Sequence, residues 1–261
     1  MAKRRDHRAD RILAQLRQSG SVSLEDLMAS LKASAPSIRR DLARLESQGL
    51  VRRTHGGVTL VEELLYEPFR FDVSFLNREQ HFRREKRRIA AAAAEMIKEG
   101  ETVGFTPGTT TTRVARNIRH RSKISVITNA LNIAMELCNM PGLKTFVTGG
   151  NVRWAWSFSL AGQAAIDSLK NRYMDKLFLS ATGIDAERGV TTNEADEAAT
   201  FRAMAEQAKQ VVLVGDSSKL GLVSPSLICP IKSVHILVTD TGATDETVEK
   251  FTRRGVEVIR V

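Results

Sequence analysis

At 261 residues and a net charge of +9, the chain is long enough for one small and one medium-sized domain. With 42% hydrophobic and 26% charged residues, its balance is that of a globular protein and excludes a disordered or fibrous one. No apolar run reaches the roughly 18 residues of a membrane span, and the opening Met1-Ala-Lys-Arg-Arg-Asp6 has no apolar signal core, so a cytoplasmic protein without a membrane partner is expected.

The charge is uneven. Residues 1–60 hold 12 Lys and Arg against 6 Asp and Glu, so six of the nine excess positive charges lie in under a quarter of the chain. A basic first domain on a nearly neutral second one suggests that the first meets a polyanion. Cys138 and Cys229 are far apart in apolar settings and fit buried thiols in a reducing compartment. The five histidines do not cluster and no metal-ligand spacing exists, so no metal or other cofactor is expected.

Within residues 1–60, Ile12, Leu13 and Leu16 suggest a first helix ending near Gly20. Ser23-Leu-Glu-Asp26 reads as an N-cap with an acid three residues on, opening a short helix with Leu24, Leu27, Met28 and Leu31 on one face. Ser34 is placed to cap a third helix, and Pro36 falls in its first turn, where a missing N–H costs little. Ile38, Leu42 and Leu45 form its apolar stripe, while Arg40 and Arg44 point the other way. Gly49 stops it, and Val51 to Leu60 reads as strand, Gly56-Gly57 turn, strand.

Three helices and a hairpin make a winged helix-turn-helix, whose third helix enters the major groove of double-stranded DNA. The candidate DNA-binding residues are Ser34, Ser37, Arg39, Arg40 and Arg44 on that helix, and Arg52, Arg53 and His55 on the wing. Arginine forks suit guanine edges, and wing contacts to phosphate position without reading sequence. The same periodicity also fits a three-helix packing module with solvated arginines; the charge asymmetry favours DNA.

Residues 61–88 read as a connector. Pro68 breaks helical continuity, and Phe69, Phe71, Phe75 and Phe82 supply four of the ten phenylalanines. A flexible linker is Gly/Ser-rich and poor in aromatics, so this one is expected to dock on the second domain or on a partner subunit. Arg78 to Arg88 hold six basic and two acidic residues, leading into an Ala-rich helix over about 82–99 and readable as its solvated face.

In residues 89–261, apolar strands alternate with helices at 102–105, 124–127, 144–148, 176–181, 211–215, 235–239 and 256–261. That alternation predicts a mostly parallel, Rossmann-like α/β domain, with ligands at the carboxyl ends of its strands. Loops with ligand chemistry follow in order: Gly108, Thr109, Thr110 and Thr111 opening a helix; Thr128-Asn129; Gly150 with Arg153; Asp175 before a strand and Gly183 after it; Glu194 and Glu197; and Lys219. Hydroxyls and free N–H groups at a helix start suit a phosphate, arginine forks onto anions, and carboxylates accept from hydroxyls. Each loop alone is also an ordinary cap or turn. Together they describe a pocket for a small phosphorylated sugar or polyol.

The run Ser37-Ile-Arg-Arg-Asp-Leu42, then Leu45-Glu46, then Gly49-Leu-Val-Arg-Arg-Thr-His-Gly-Gly-Val58 resembles the DeoR family of bacterial transcriptional regulators of sugar metabolism. The later loops resemble that family's effector domain, in the order Gly108-Thr-Thr, Thr128-Asn129, Gly149-Gly-x-x-Arg153, Gly183-Ile-Asp185, Glu197-Ala198, Arg202 and Asp216-x-Ser-Lys219. The resemblance implies a second domain folded like ribose-5-phosphate isomerase and CoA transferases, a repressor of a carbohydrate operon, a sugar-phosphate effector, and a homodimer or homotetramer on operator DNA. Departures in this chain are Ala33-Ser34 opening the third helix, Ser37 before Ile38, Thr106-Pro107 before Gly108, and Phe201 before Arg202. The last two reshape the expected pocket. An isomerase-like enzyme fused to a DNA-binding module is the alternative, with Glu194 or Glu197 as base and Lys219 as electrophile. The first domain, which an isomerase does not need, speaks against it, and no enzyme is expected.

Overall fold

The computed structural model describes residues 2–47, 50–54, 57–60, 73–153 and 158–261, with the backbone alone at 2–7, 17, 18, 73, 74, 76 and 153. The chain divides near residue 64 into two compact units.

The first unit runs α1 (Ala2–Ser19), β1 (Ser21–Val22), α2 (Leu24–Leu31), α3 (Ala35–Ser47), β2 (Val51–Thr54) and β3 (Gly57–Leu60). Ser23 caps α2 by accepting the Asp26 N–H at 3.0 Å. Ile38, Leu42 and Leu45 of α3 are buried with Ile12, Leu13, Leu16 and Leu27, each contributing roughly 1.5–3 kcal/mol by leaving water. The wing is antiparallel and pairs Arg52 with Thr59 and Arg53 with Val58. A strand not legible in the sequence, β1, adds to its far edge, Val22 opposite Val58. Gly57 permits this: its φ is +149°, and a Cβ there would stand 2.5 Å from the Val22 carbonyl oxygen.

The second unit opens with α4 (Val73–Gln80) and α5 (Arg83–Glu95), then alternates: β4 (Thr102–Phe105), α6 (Thr109–Asn117), β5 (Ile124–Thr128), α7 (Leu131–Leu137) and β6 (Leu143–Val147). A small hairpin follows, β7 (Asn151–Arg153) with β8 (Ser159–Ala161), then α8 (Gln163–Leu169), β9 (Met174–Leu179), β10 (Gly183–Asp185), β11 (Gly189–Thr192), α9 (Ala195–Glu206) and β12 (Ala208–Val214). The last elements are β13 (Ser226–Cys229), β14 (Ile236–Thr239), α10 (Asp245–Thr252) and β15 (Glu257–Arg260).

Seven strands form one sheet in the order β15-β14-β12-β9-β4-β5-β6, parallel throughout. These are the seven expected from the sequence, their ends displaced by at most three residues. Alternate residues enter two cores: Phe178, Val212, Val214 and Val238 lie with α5, α6 and α7 on one face. Leu177, Leu179, Val211, Leu213 and Leu237 lie with α8, α9 and α10 on the other. Burial on both faces is why the inner ends of the central strands, Leu177–Leu179 of β9 and Val211–Val214 of β12, read as continuous apolar runs. A second, antiparallel sheet, β10-β11-β13, was not foreseen. Among the described residues, no helix is long and apolar enough to cross a membrane.

From β4 the chain steps outward to β5 and β6, then returns to β9 on the other side of β4 and continues to β12, β14 and β15. Connections leaving β4 and β9 therefore diverge, and a crevice opens at their carboxyl ends.

Residues 73–88, expected as a connector, are part of this unit. Phe75 of α4 packs edge-on against Phe158, ring centroids 5.3 Å apart. Glu79 meets Arg116 at 2.7 Å and Arg113 at 3.4 Å on α6, and Arg116 also grips Glu136 of α7 with two 2.8 Å bonds. Burial works against the Arg116 charge, but Glu136 and Glu79 outweigh it and hold the guanidinium above its ordinary range. Burial brings Arg113 down to about 10, with Glu79 acting against the fall. Glu79→Gln leaves both guanidiniums short of a counter-charge, and we expect a loss of about 3 kcal/mol. Chemical denaturation of the full chain checks it; a loss under about 0.5 kcal/mol would place the pair with solvated surface bridges.

Candidate functional site

In the first unit, α3 turns Arg39 and Arg40 outward, both exposed, and leaves Arg44 half-buried. The α3 start is not capped as expected: the Ser34 hydroxyl donates to the Ser37 hydroxyl at 3.1 Å, while the Ser34 carbonyl receives the N–H groups of Ser37 and Ile38. Arg40 Nε reaches back to the Pro36 carbonyl at 3.3 Å. On the wing, Arg52 is exposed. Arg53 is a strut, its guanidinium 3.1 Å from Glu46 of α3 and its Nη2 on the Arg39 carbonyl at 3.5 Å. Asp41, buried inside the same helix, pairs with Arg8 of α1. The structure thus gathers Ser34, Ser37, Arg39 and Arg40 around the front of α3 and ties the wing to that helix through Glu46 and the Arg39 carbonyl. His55 lies outside the described residues. A cleft of about 410 Å³ separates α2 from the wing, with Arg39 and Arg53 in its lining.

In the second unit, a cavity of about 370 Å³ occupies the crevice between β4 and β9. From the β4 side come Pro107, Gly108, Thr109 and Thr110, and from the β9 side Ser180, Ala181 and Thr182. The start of α9 and the residues before it bring Thr192, Asn193, Glu194, Glu197 and Phe201, and the loop after β12 brings Lys219. Arg78 and Lys86 complete the lining.

The α6 start is built for close approach. A Cβ on Gly108 would stand 2.7 Å from Ser180 Cβ and 3.0 Å from Thr111 Oγ1, so only glycine fits. The Gly108 carbonyl accepts from Thr111 Oγ1 at 3.0 Å, Thr112 Oγ1 at 2.7 Å and the Thr112 N–H at 2.9 Å. The N–H groups of Thr109, Thr110 and Thr111 sit in the first turn, where no intrahelical acceptor exists. Thr110 Oγ1 is buried and has no hydrogen-bond partner among the described residues. Such a group costs free energy until a ligand or water satisfies it.

The cations are held in the lining. Lys219 Nζ donates to the Ala181 carbonyl at 2.6 Å. Burial lowers its pKa, with Asp216 opposing. Lys86 Nζ donates to the carbonyls of Arg78, at 2.6 Å, and His81, at 2.8 Å, and lies 3.8 Å from Asp216. Burial brings its pKa down to about 8, again against Asp216. The loop bearing Asp216 and Lys219 is fixed by Asp240, which accepts from the N–H groups of Ser217, at 2.7 Å, and Gly242, at 2.8 Å, and from Ser217 Oγ, at 2.9 Å. Burial opposes the Asp240 charge, yet these bonds hold its carboxyl below the usual range.

Of the residues expected at the ligand site, Gly108, Thr109, Thr110, Glu194, Glu197 and Lys219 line this one cavity, and Thr111 stands behind Gly108. Others go elsewhere. Thr128 Oγ1 donates to the Phe105 carbonyl and receives the Ala130 N–H, and Asn129 Nδ2 donates to the Leu160 carbonyl, so both tie β5 to its neighbours. Gly150, at φ +122°, allows β8 to approach: a Cβ would meet the Ala161 oxygen at 2.7 Å. Gly183 starts β10 beside Thr191 and Leu222. Asp175 is at the wrong end of the sheet: it accepts the Thr102 N–H at 2.9 Å where β9 and β4 begin. The Arg153 side chain lies outside the described residues. Both departures from the family pattern fall at this site. Phe201 and Pro107 line the cavity, and Thr106 Oγ1 takes the Ser180 N–H at 2.9 Å, knitting β4 to β9. Arg78, Lys86, Ser180 and Thr182 were missed.

Residues 8–63 match the DeoR-like helix-turn-helix domain, and residues 81–241 the DeoR C terminal sensor domain. A protein of Escherichia coli O157:H7 described as an aga operon transcriptional repressor is 38% identical over 256 residues, 97% of this chain and 93% of its own length. The regulator GlpR of Haloferax volcanii is 34% identical, covering 97% of this chain and 96% of its own. The glycerol-3-phosphate regulon repressor of Escherichia coli K12 is 30% identical, covering 95% of each. Among solved structures, a ribose 5-phosphate isomerase from Plasmodium falciparum aligns over about half of both chains (52% of each), with 15% identity and a TM-score of 0.39, too slight a likeness to bear on function.

Proposed function

Because the chain belongs to the DeoR family of transcriptional regulators, we propose that it represses a carbohydrate operon by reading operator DNA through α3 and the wing, under control of a phosphorylated sugar or polyol in the β4–β9 cavity. Its relatives over nearly the whole chain are regulators of transcription, not enzymes. In this reading Glu194, Glu197 and Lys219 bind and do not turn over substrate.

The carrying observation is the α6 start. Its free N–H groups and the unsatisfied Thr110 hydroxyl line the same cavity as Lys86, Lys219 and Arg78. A helix N-terminus favours negative charge, and three cations beside it select an anion with several acceptor oxygens, which is a phosphate. Glu194 and Glu197 supply acceptors for sugar or polyol hydroxyls, and Phe201 and Pro107 an apolar wall.

On the DNA side, Ser34, Ser37, Arg39 and Arg40 face base edges, with Arg44 and Arg52 on phosphates, and Arg53 aligns the wing with α3. Two or four copies would set paired heads on repeated half-sites.

Thr110→Val tests the ligand site. It removes a buried hydroxyl that has no protein partner, so stability should hold or rise. Affinity for phosphorylated sugars and polyols, screened by thermal shift, should fall about tenfold. A destabilised variant with unchanged ligand response would make the hydroxyl structural and remove the anion seat. Arg40→Ala tests the other end: operator selectivity in a mobility-shift assay on the gene's own upstream region should vanish, with the ligand-induced thermal shift intact. Retained selectivity would mean that α3 is not the reading helix.

A further inference from the structure

We infer that Lys86 is a positioning residue that passes ligand occupancy to α4: an anion in the cavity draws its ammonium off the carbonyl oxygens at the end of that helix. The inference rests on the reading of the cavity as an anion site.

An ammonium has three N–H donors. Two of Lys86's go to the Arg78 carbonyl in the last turn of α4 and to the His81 carbonyl just after it, and its nearest carboxylate is Asp216 at 3.8 Å. Lys86 therefore closes the C-terminal end of α4 while lining the cavity. Helix-end carbonyls need such partners, because the last four have none inside the helix. Alone, α4 is too short to be stable, at eight residues. The junction after it is already unusual: Phe82 holds φ +53°, a left-handed conformation uncommon for an aromatic residue. A phosphate near the α6 start offers full negative charge where the carbonyls offer only dipoles, and charge-assisted bonds are roughly twice as strong as neutral ones. The α4 side also contributes Arg78 to the lining, so one ligand can engage both ends of this contact. In sequence, α4 is the first described element after the DNA-binding unit.

The charged groups facing Lys86 are Asp216 and Lys219 from the loop after β12, Arg113 from α6 and Arg78 from α4. With its pKa brought to about 8 by burial, against Asp216, Lys86 is an ammonium at pH 7 and loses its charge as pH rises through that value. The response of α4 is present below that pH and fades above it.

Hydrogen–deuterium exchange on the full chain, with and without inorganic phosphate at pH 7, tests this. Phosphate should slow exchange at Thr109–Thr111 and speed it about threefold or more at the end of α4. In Lys86→Met, higher phosphate should still slow Thr109–Thr111, with α4 fast in both conditions, and Lys86→Arg should restore the response. At pH 9 the ratio with and without phosphate should approach one at α4 in the natural chain but not in Lys86→Arg. Slowed Thr109–Thr111 with an unmoved α4 in the natural chain, or a Lys86→Met chain that responds normally, overturns the role of Lys86 and leaves the anion site standing. Unslowed Thr109–Thr111 at saturating phosphate and sugar phosphate overturns both. The pH arm needs no variant, so a poorly folded Lys86→Met leaves the inference open to refutation.

Discussion

The second unit depends on the divergence of the chain at β4 and β9. The two strands are hydrogen-bonded neighbours, yet one leads toward β5 and the other toward β12, so nothing in the main sheet covers their carboxyl ends. The gap alone would be an ordinary crevice. Gly108 shapes it by letting the α6 start lie against Ser180, where any Cβ would collide. Thr106 reinforces this by accepting the Ser180 N–H, so the two diverging loops are tied at their root and open above it. The position of the free N–H groups is thus set by backbone packing before any ligand arrives, which is the condition for binding without a large ordering cost.

Two buried ammonium groups in a cavity lining need explanation, because burial disfavours both. Lys86 and Lys219 each have a lowered pKa, and they share the carboxylate of Asp216. Breaking a buried ion pair is expensive and keeping one is not by itself stabilising. An anion seated beside them, as proposed, would offset that cost. The loop bearing Asp216 and Lys219 is fixed from the other side by Asp240, which holds the shared carboxylate in place.

Much of this was legible in the sequence. The central strands showed because burial on both faces gives them apolar runs, as in Val211–Val214, and the edge strands showed by their place in the alternation with helices. By contrast, β7, β8 and β10 have three residues each and β1 has two, too few to show alternation. Rules for parallel sheets located the loops at Gly108 and Lys219, which follow β4 and β12, and chain direction alone separates Asp175, which precedes its strand, from them. Lys86 was hidden inside Arg83-Arg-Glu-Lys-Arg-Arg88, a run that reads as a solvated face. A signal was nonetheless present: Lys86, Ile89, Ala90, Ala93 and Ile97 fall at i, i+3, i+4, i+7 and i+11, on the stripe that the structure buries. A lysine in phase with an apolar stripe is a candidate site residue even when its neighbours are charged. Arg78 had no such signal, because the fold, not the helical period, brings α4 to the cavity.

Two attachments of α4, at Glu79 and through Lys86, differ in where they lie. Glu79 is held by Arg113 and Arg116 of α6, and Arg116 also pairs with Glu136 of α7; none of these residues lines the cavity. The Lys86 attachment does line it. If an anion draws Lys86 away, it competes for the second and leaves the first, so α4 would shift about Glu79 and not detach. Were α4 to have two such positions, a ligand would bias them only by its difference in affinity between them. If the two states also differ in how they present the DNA-binding unit, operator DNA must bias the same equilibrium, and each ligand changes the other's affinity by one common factor. Tight ligand binding would then be no guide to regulatory strength. A molecule that seats its phosphate on α6 without reaching Lys86 would bind well and leave the DNA affinity where it was.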